Sequence, residues 1–371
     1  MKKSKPVFKK VLILSSSDKR HMAMVNPYVE YFQKNNISFD IIRSNRYSNI
    51  SKNQESNIYE FNWDQAPNAS KIKKIIPYLR FRKFAIKIMK RNDYSFVVVW
   101  NENTAFLFSS FLRRKFKNHF CINIRDVYDH IPFYAGVVNK VCRKACFVTH
   151  PSFDHSPKFP VDSFKHYVVL VNRDNHILRF CQKKTNFTEG VIRITYMGFY
   201  HSAPDTFKKI ALSFKNDTRF ELHFYGLDFD TVFKDFCLKN DIQNVVLGGA
   251  FAYEKTADYL SSTDLINSYY NNFQTNRSLI YAMGIKESYS PLLYLPAIVD
   301  DNTTWGRIGR KYGISYNVGD DLTDLPNNLY KWYKQKDFEE FRKACDRFNV
   351  VVDKQYKELI DLCNIYIINN D

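Results

Sequence analysis

Residues 192–198 read IRITYMG, residues 220–226 read FELHFYG, and residues 244–249 read NVVLGG. Each is a short apolar run that ends at glycine. Each is long enough for a buried strand of a parallel sheet, and helix-like sequence follows at least the first two. Glycine at the carboxyl end of a strand lets the backbone turn sharply and leaves room for a ligand to approach. Open α/β sheets bind their ligands at that edge. The second half of the chain therefore reads as a nucleotide-type binding domain.

The pattern extends outward in both directions. Beyond residue 249 the sequence predicts a helix over 254–260, a strand over 264–267 (DLIN), a helix over 278–284, a strand over 297–299, a helix over 305–312 and a strand over 314–318. A charged helical tail follows Leu325. The first half predicts strands at 11–15, 39–43, 96–100 (FVVVW), 120–124, 147–149 and 168–171, with helices at 21–35, 71–91, 104–117 and 133–145. The polar stretch 44–70 reads as a long loop. Strands separated by helices argue for parallel βα units with right-handed crossovers. The expected fold is α/β, with two doubly wound, Rossmann-like parallel-sheet domains facing each other across a cleft. The expected boundaries are 1–172 for the first domain, 173–190 for a polar connection, 191–345 for the second domain, and 346–371 for a helical tail that returns to the first.

Bulk properties narrow the partners. The chain has 371 residues, and 55 Lys and Arg against 38 Asp and Glu give a net charge of +17. Such an excess points to a polyanionic partner: nucleic acid, an anionic membrane surface or a phosphorylated substrate. The 7 cysteines are scattered, and no second pair completes a zinc site with Cys142 and Cys146, so free thiols in a reducing cytosol are expected. The apolar run 11–14 is too short for a signal sequence, and no stretch approaches the roughly 20 apolar residues of a membrane span. A cytoplasmic protein, peripheral at the inner face of the plasma membrane, is expected. Residues Lys71–Arg91 (KIKKIIPYLRFRKFAIKIMKR) hold nine Lys and Arg and no acid. A basic amphipathic helix of this kind suits an anionic membrane surface. No nucleic-acid module is apparent, and no nucleic-acid partner is expected.

From residue 192 to residue 318 the order of elements resembles the donor half of GT-B glycosyltransferases, in particular the retaining family four. The pieces that carry the resemblance are ITYMGFY, ELHFYGLDFD, NVVLGGAFAYEKTADYLSSTDLIN, NRSLIYAMGI and PAIVDDNTTWGRIGRKYGISYNV. In the first half IRDVYDH (residues 124–130) sits where these enzymes carry a polar loop. The resemblance implies a nucleotide-sugar donor, no metal and no resident cofactor. Two departures stand out. Family members place Arg and Lys after the first glycine, where this chain has Phe199, Tyr200 and His201. They also carry two glutamates eight positions apart, where this chain has Phe273 and Tyr281.

The candidate donor-binding residues are Gly198, Tyr200, Gly226, Gly249, Phe251, Asn276, Arg277 and Ser278. Arg277, just before the expected helix, replaces the missing cations, because a guanidinium beside a helix amino terminus suits a diphosphate. Asn276 and Ser278 cap that helix start. Phe251 lies in the turn where related enzymes read the base. Candidate bases for an acceptor hydroxyl are Asp18 and His21 after the first strand, and Asp126 and His130 in the IRDVYDH loop. The expected activity is transfer of a hexosyl-type sugar from a nucleotide-sugar to a lipid-linked or saccharide acceptor in surface-polysaccharide (capsule-type) biosynthesis. The alternatives are a sugar-nucleotide epimerase or pyruvyl transferase of the same plan, or a basic nucleic-acid- or membrane-binding protein without catalysis.

Overall fold

A strand of a parallel sheet covered on both faces must be apolar on both, and β1 (Lys10–Ser15) meets that demand. Val11 and Ile13 point to one face, and Leu12 and Leu14 to the other; all four are fully buried. The computed structural model describes residues 10–18, 22, 24–45, 57–63, 71–126, 128, 131–155, 158–271 and 277–369. After β1 come α1 (Asn26–Lys34), β2 (Phe39–Asn45), β3 (Ile58–Asn62), α2 (Lys71–Arg91), β4 (Tyr94–Trp100), α3 (Glu102–Leu107), α4 (Ser109–Lys115), β5 (Phe120–Asn123), α5 (Pro132–Cys142), β6 (Val148–His150) and β7 (Tyr167–Val169). The strands form one parallel sheet in the order β3-β2-β1-β4-β5-β6-β7. Ile13 lies opposite Ile41 of β2 and Val98 of β4.

The second half adds β8 (Ile192–Met197), α6 (Pro204–Ser213), β9 (Phe220–Tyr225), α7 (Lys234–Lys239), β10 (Val245–Gly248), α8 (Thr256–Ser261), β11 (Leu265–Ser268), α9 (Ile285–Leu293), β12 (Ala297–Asp300), α10 (Thr304–Tyr312) and β13 (Ser315–Val318). Their sheet is also parallel, in the order β10-β9-β8-β11-β12-β13. Two helices, α11 (Leu325–Gln335) and α12 (Phe338–Cys363), end the fold. The chain divides into two compact units. One comprises Met1–Pro151, His155–Leu170 and Lys354–Asp371; the other comprises Ser152–Asp154 and Val171–Asp353. The segment 173–190 belongs to the second unit, where the Asn172 amide donates to the Met283 carbonyl and the Ser288 hydroxyl to the Asn172 carbonyl.

Each unit is the α/β, Rossmann-like element that the sequence predicts, with three local differences. The loop expected over 44–70 contains β3. This edge strand is half-buried and polar on one side, so it lacks the unbroken apolar run of a central strand. The helix expected over 104–117 is divided at Phe108 into α3 and α4. The helix expected over 278–284 is a 3₁₀ turn at Arg277–Ile280, and the α-helix lies further on, at Ile285–Leu293.

The last part of α12 belongs to the first unit. Leu359, Leu362 and Cys363 pack with Tyr28, Tyr31 and Phe32 of α1 on the sheet face formed by Val11, Ile13, Phe96 and Val98. The Tyr31 hydroxyl donates to Asn364 Oδ1 at 2.7 Å. Leu359→Ala, which empties a site only 2% exposed, is expected to lower unfolding stability by about 2–4 kcal/mol. Denaturant titration checks this, and an unchanged midpoint would show that the returning helix end contributes no packing.

Candidate functional site

In both sheets the strand order reverses next to the first strand, between β1 and β4 in one unit and between β8 and β11 in the other. Crossovers on opposite faces leave a crevice outside the carboxyl ends at such a point. The carboxyl end of β8 is therefore the place to look for a ligand in the second unit.

Three of the predicted glycines lie together there. Gly198 N donates to Tyr225 O at 2.9 Å, and Gly226 N donates to Gly248 O at 3.0 Å, so the turns after β8, β9 and β10 are joined edge to edge. The space that their missing side chains leave is filled by the chain itself. A Cβ on Gly226 (φ +139°) would lie 1.7 Å from the Gly198 carbonyl oxygen, one on Gly198 would lie 2.7 Å from the Tyr196 hydroxyl, and one on Gly249 would lie 2.3 Å from the Asp230 carboxylate. At Gly226 the backbone of the neighbouring turn requires glycine, whereas at Gly198 and Gly249 the space is taken by the ends of the Tyr196 and Asp230 side chains. Tyr200 is 2% exposed, with its ring among Phe207, Phe229 and Phe233 in the core. Phe251 is half-exposed beside the same edge. It meets Tyr259 edge-on at 5.0 Å, and Tyr259 stacks on Tyr225 at 3.7 Å with an 8° interplanar angle.

The first turn of α9 supplies the charged groups. Gly284 is its extended N-cap and Glu287 stands in its first turn. Glu287 is 6% exposed; its Oε1 accepts from Ser268 Oγ, at the end of β11, at 3.1 Å. Its Oε2 is buried with no partner among the described residues. Lys286 is 8% exposed, with Nζ 3.8 Å from the ring centre of Tyr196 in β8 and 4.4 Å from that of Tyr270 after β11. Burial pushes its pKa down to about 8, opposed by the neighbouring Glu287 charge. Among the described residues Lys286 forms no salt bridge. The ammonium at this switch point is thus held by two ring faces, with the Glu287 charge nearby.

Asn276 and His21 lie outside the described residues, as do Asp129 and His130. Arg277 and Ser278 are placed by backbone only, in the 3₁₀ turn between β11 and α9. They do not begin the α-helix, so the helix amino terminus expected beside them belongs to Ile285 and Lys286. The sequence carried a signal for this. Glycine followed three positions later by glutamate is a helix-start pattern, and Pro291 within the next nine residues hides it by arguing against a helix.

The first unit has its own polar edge. Ser16 N donates to Thr104 Oγ1 at 2.7 Å, and Asn101 Nδ2 donates to Ser17 Oγ at 2.7 Å, joining the loops after β1 and β4 at their switch point. Asn101 takes a positive φ of 66° and caps α3 through Thr104 N. Next to it is Glu102, 3% exposed, whose Oε2 accepts from the backbone N–H groups of Arg125 at 3.0 Å and Asp126 at 3.4 Å. Of the predicted bases, Asp18 is buried three residues beyond β1, and Asp126 is exposed after β5 beside Glu102. Glu102 was not among the candidates. Its burial depends on the β5 loop folding over it, which local sequence does not encode. Among the described residues no three His, Cys, Asp or Glu side chains gather as metal ligands.

No protein-family model matches the sequence, and no curated protein matches it. Solved structures do match in shape. Sucrose-phosphate synthase from Thermosynechococcus elongatus is similar with a TM-score of 0.71 and 12% identity, over 98% of this chain and 99% of that one. A glycosyltransferase from Rickettsia africae is similar with a TM-score of 0.66 and 14% identity, over 98% and 100% of the two chains. A lipopolysaccharide outer core galactosyltransferase is similar with a TM-score of 0.61 and 13% identity, over 98% and 100%. The fold is that of the GT-B glycosyltransferases, with two Rossmann-like domains.

Two outcomes follow from this geometry. Gly226→Ala forces two backbones apart and is expected to cost about 3 kcal/mol or more, read as a large fall in melting temperature. The Glu102 carboxyl is pushed up to about 7, first by burial and then by the Asp126 charge. Its folded value lies above its ordinary one, so the stability it favours is present at low pH and is lost as pH rises through about 7. Between about pH 5 and pH 8 the unmodified protein should lose on the order of 3 kcal/mol relative to Glu102→Gln. Parallel pH profiles for the two proteins would contradict this.

Proposed function

We propose that this protein is a glycosyltransferase that moves a hexosyl-type sugar from a nucleotide-sugar to a lipid-linked or saccharide acceptor, in the assembly of a capsule-type surface polysaccharide. The observation that carries the reading is the buried Lys286 at the β8/β11 switch point, held between the Tyr196 and Tyr270 rings and in no salt bridge among the described residues, with the Glu287 carboxylate next to it in sequence. The second unit binds the nucleotide diphosphate. Lys286 and the amino terminus of α9 meet the phosphate charge, and Arg277 in the preceding turn is the further cation. Glu287 Oε2, buried and without a partner among the described residues, accepts a hydroxyl of the ribose or of the sugar. The Tyr225–Tyr259–Phe251 group offers a ring face to the base. Gly198, Gly226 and Gly249 hold the three turns at the spacing this requires.

The first unit takes the acceptor. The acceptor oxygen attacks the anomeric carbon as the bond from that carbon to the diphosphate oxygen breaks, and the diphosphate leaves with the bonding electrons. In an inverting reaction Asp126 or Asp18 receives the hydroxyl proton, with His21 and His130 in the same loops as the other candidates. Charge on the leaving group is met by groups already in place, which is where this kind of site gains most of its rate. Neither a metal nor a resident cofactor takes part in this scheme. The protein works at the inner face of an anionic membrane, where a lipid-linked acceptor is presented.

A panel of nucleotides and nucleotide-sugars in thermal shift tests the reading. At least one nucleoside diphosphate or its sugar derivative should raise the melting temperature, and Lys286→Ala should weaken that ligand at least about tenfold. Affinity should also fall as pH rises through about 8, because Lys286 then loses the charge that attracts the phosphates. If no nucleotide or nucleotide-sugar shifts the melting temperature, the reading fails.

A further inference from the structure

Helix α2 divides its surface between two tasks. Phe81, Ala85 and Met89 recur every fourth residue and are buried against the first sheet. The opposite face is exposed and changes character along its length. Ile75, Ile76 and Leu79 are 54%, 48% and 55% exposed at its amino-terminal end. Arg80, Lys83, Lys87, Lys90 and Arg91 then continue the same stripe, at the three- and four-residue intervals that keep a helix face outward. Among the described residues none of these five cations is in a salt bridge, and α2 contains no acid. Arg113, Arg114 and Lys115 of α4 are also exposed, and α4 is tied to α2 where Arg82 Nη2 donates to Ser110 Oγ at 3.4 Å.

The apolar end of the stripe is continued by a second element. At the start of α5, Ile131 is 50% and Phe133 75% exposed. Phe133 lies edge-on to Phe106 of α3 at 6.2 Å, and Tyr134 stacks on Phe106 at 4.8 Å. Tyr134 is also within electrostatic reach of Tyr78 on α2. Its hydroxyl donates to Asn103 Oδ1, one residue beyond Glu102. Aliphatic and aromatic side chains from two helices thus stand exposed next to the polar edge of the first sheet, with a band of free cations behind them.

We infer that this face of α2, with the amino-terminal end of α5, docks on the surface of an anionic lipid bilayer. Ile75, Ile76, Leu79, Ile131 and Phe133 enter the acyl boundary, and the Arg and Lys stripe lies along the headgroups. Charge complementarity selects this occupant. Free ammonium and guanidinium groups next to water-exposed aliphatic side chains match a surface that is anionic outside and apolar beneath, which neither nucleic acid nor an acidic protein surface offers. The orientation brings the Asn101–Asp126 edge of the sheet to the membrane, so the substrate class is an acceptor with an acyl or polyprenyl tail. That last step rests on the reading of the first unit as the acceptor half.

The test is co-sedimentation of the full-length protein, without nucleotide, with vesicles of phosphatidylcholine alone and of phosphatidylcholine mixed with phosphatidylglycerol. Binding should require phosphatidylglycerol and weaken with salt. The double substitution Ile76→Ser with Leu79→Ser, which leaves every charge in place, should weaken it at least about tenfold with little change in melting temperature. As a second measurement, Leu79→Cys carrying an environment-sensitive dye should shift to the blue on mixed vesicles; the native cysteines are all buried. Absence of binding to phosphatidylglycerol vesicles would overturn the inference. So would binding that the apolar pair does not affect, or a dye that stays in water, since either shows electrostatic adsorption only. Because no nucleotide is present, failure here leaves the donor-site reading standing, and failure of the nucleotide panel leaves this one standing.

Discussion

In the second unit the carbonyl of Gly198 occupies the space where residue 226 would otherwise carry a side chain. That contact lets β8 and β9 stay in register from Ile192–Phe220 to Met197–Tyr225 and turn away side by side. With those two turns fixed, Tyr196 and Tyr225 have set positions at the strand ends, and both matter to the site. Tyr196 forms one wall around Lys286, and Tyr225 forms the floor of the Tyr259 and Phe251 group. A larger residue at 226 would disturb both at once, although it touches neither charged group.

The two edges of the molecule solve different electrostatic problems. In the second unit a cation is buried among rings without a carboxylate bound to it, and its pKa falls because its charge is poorly solvated. In the first unit a carboxylate is buried beneath a loop and accepts two backbone N–H groups, yet its pKa rises because burial and the Asp126 charge outweigh those bonds. One edge holds a cation whose charge is poorly solvated, and the other holds a carboxyl that titrates near neutral pH.

The strand framework was legible in the sequence because strands buried on both faces are apolar runs, and those of β8, β9 and β10 end at glycines, of which Gly226 is required by its neighbour's backbone. The sites were less legible. The glycines lie together at the carboxyl edge of the second sheet, but the space beside them is filled by Tyr196, Gly198 and Asp230. Lys286 and Glu287 lie in a helix that Pro291 disguises, and the expected helix at 278–284 drew attention to Arg277 instead. Glu102 reads as an ordinary first-turn acid of a helix. Only the return of residues 125 and 126 over it makes it buried. The stripe on α2 was visible as charge, whereas the exposure of Ile75, Ile76 and Leu79 depended on which face the sheet claimed.

The central claim is that the carboxyl edge around β8 and β11 binds a nucleotide diphosphate. Amide hydrogen exchange of the full-length protein, with and without a nucleoside diphosphate at a concentration near its dissociation constant for the unmodified protein, tests it at the level of segments. The account predicts slower exchange in peptides covering 197–203, 268–271 and 284–289, with the sheet interior unchanged and the effect absent in Lys286→Ala. Protection that appears only elsewhere, or survives in Lys286→Ala at those three segments, would contradict it.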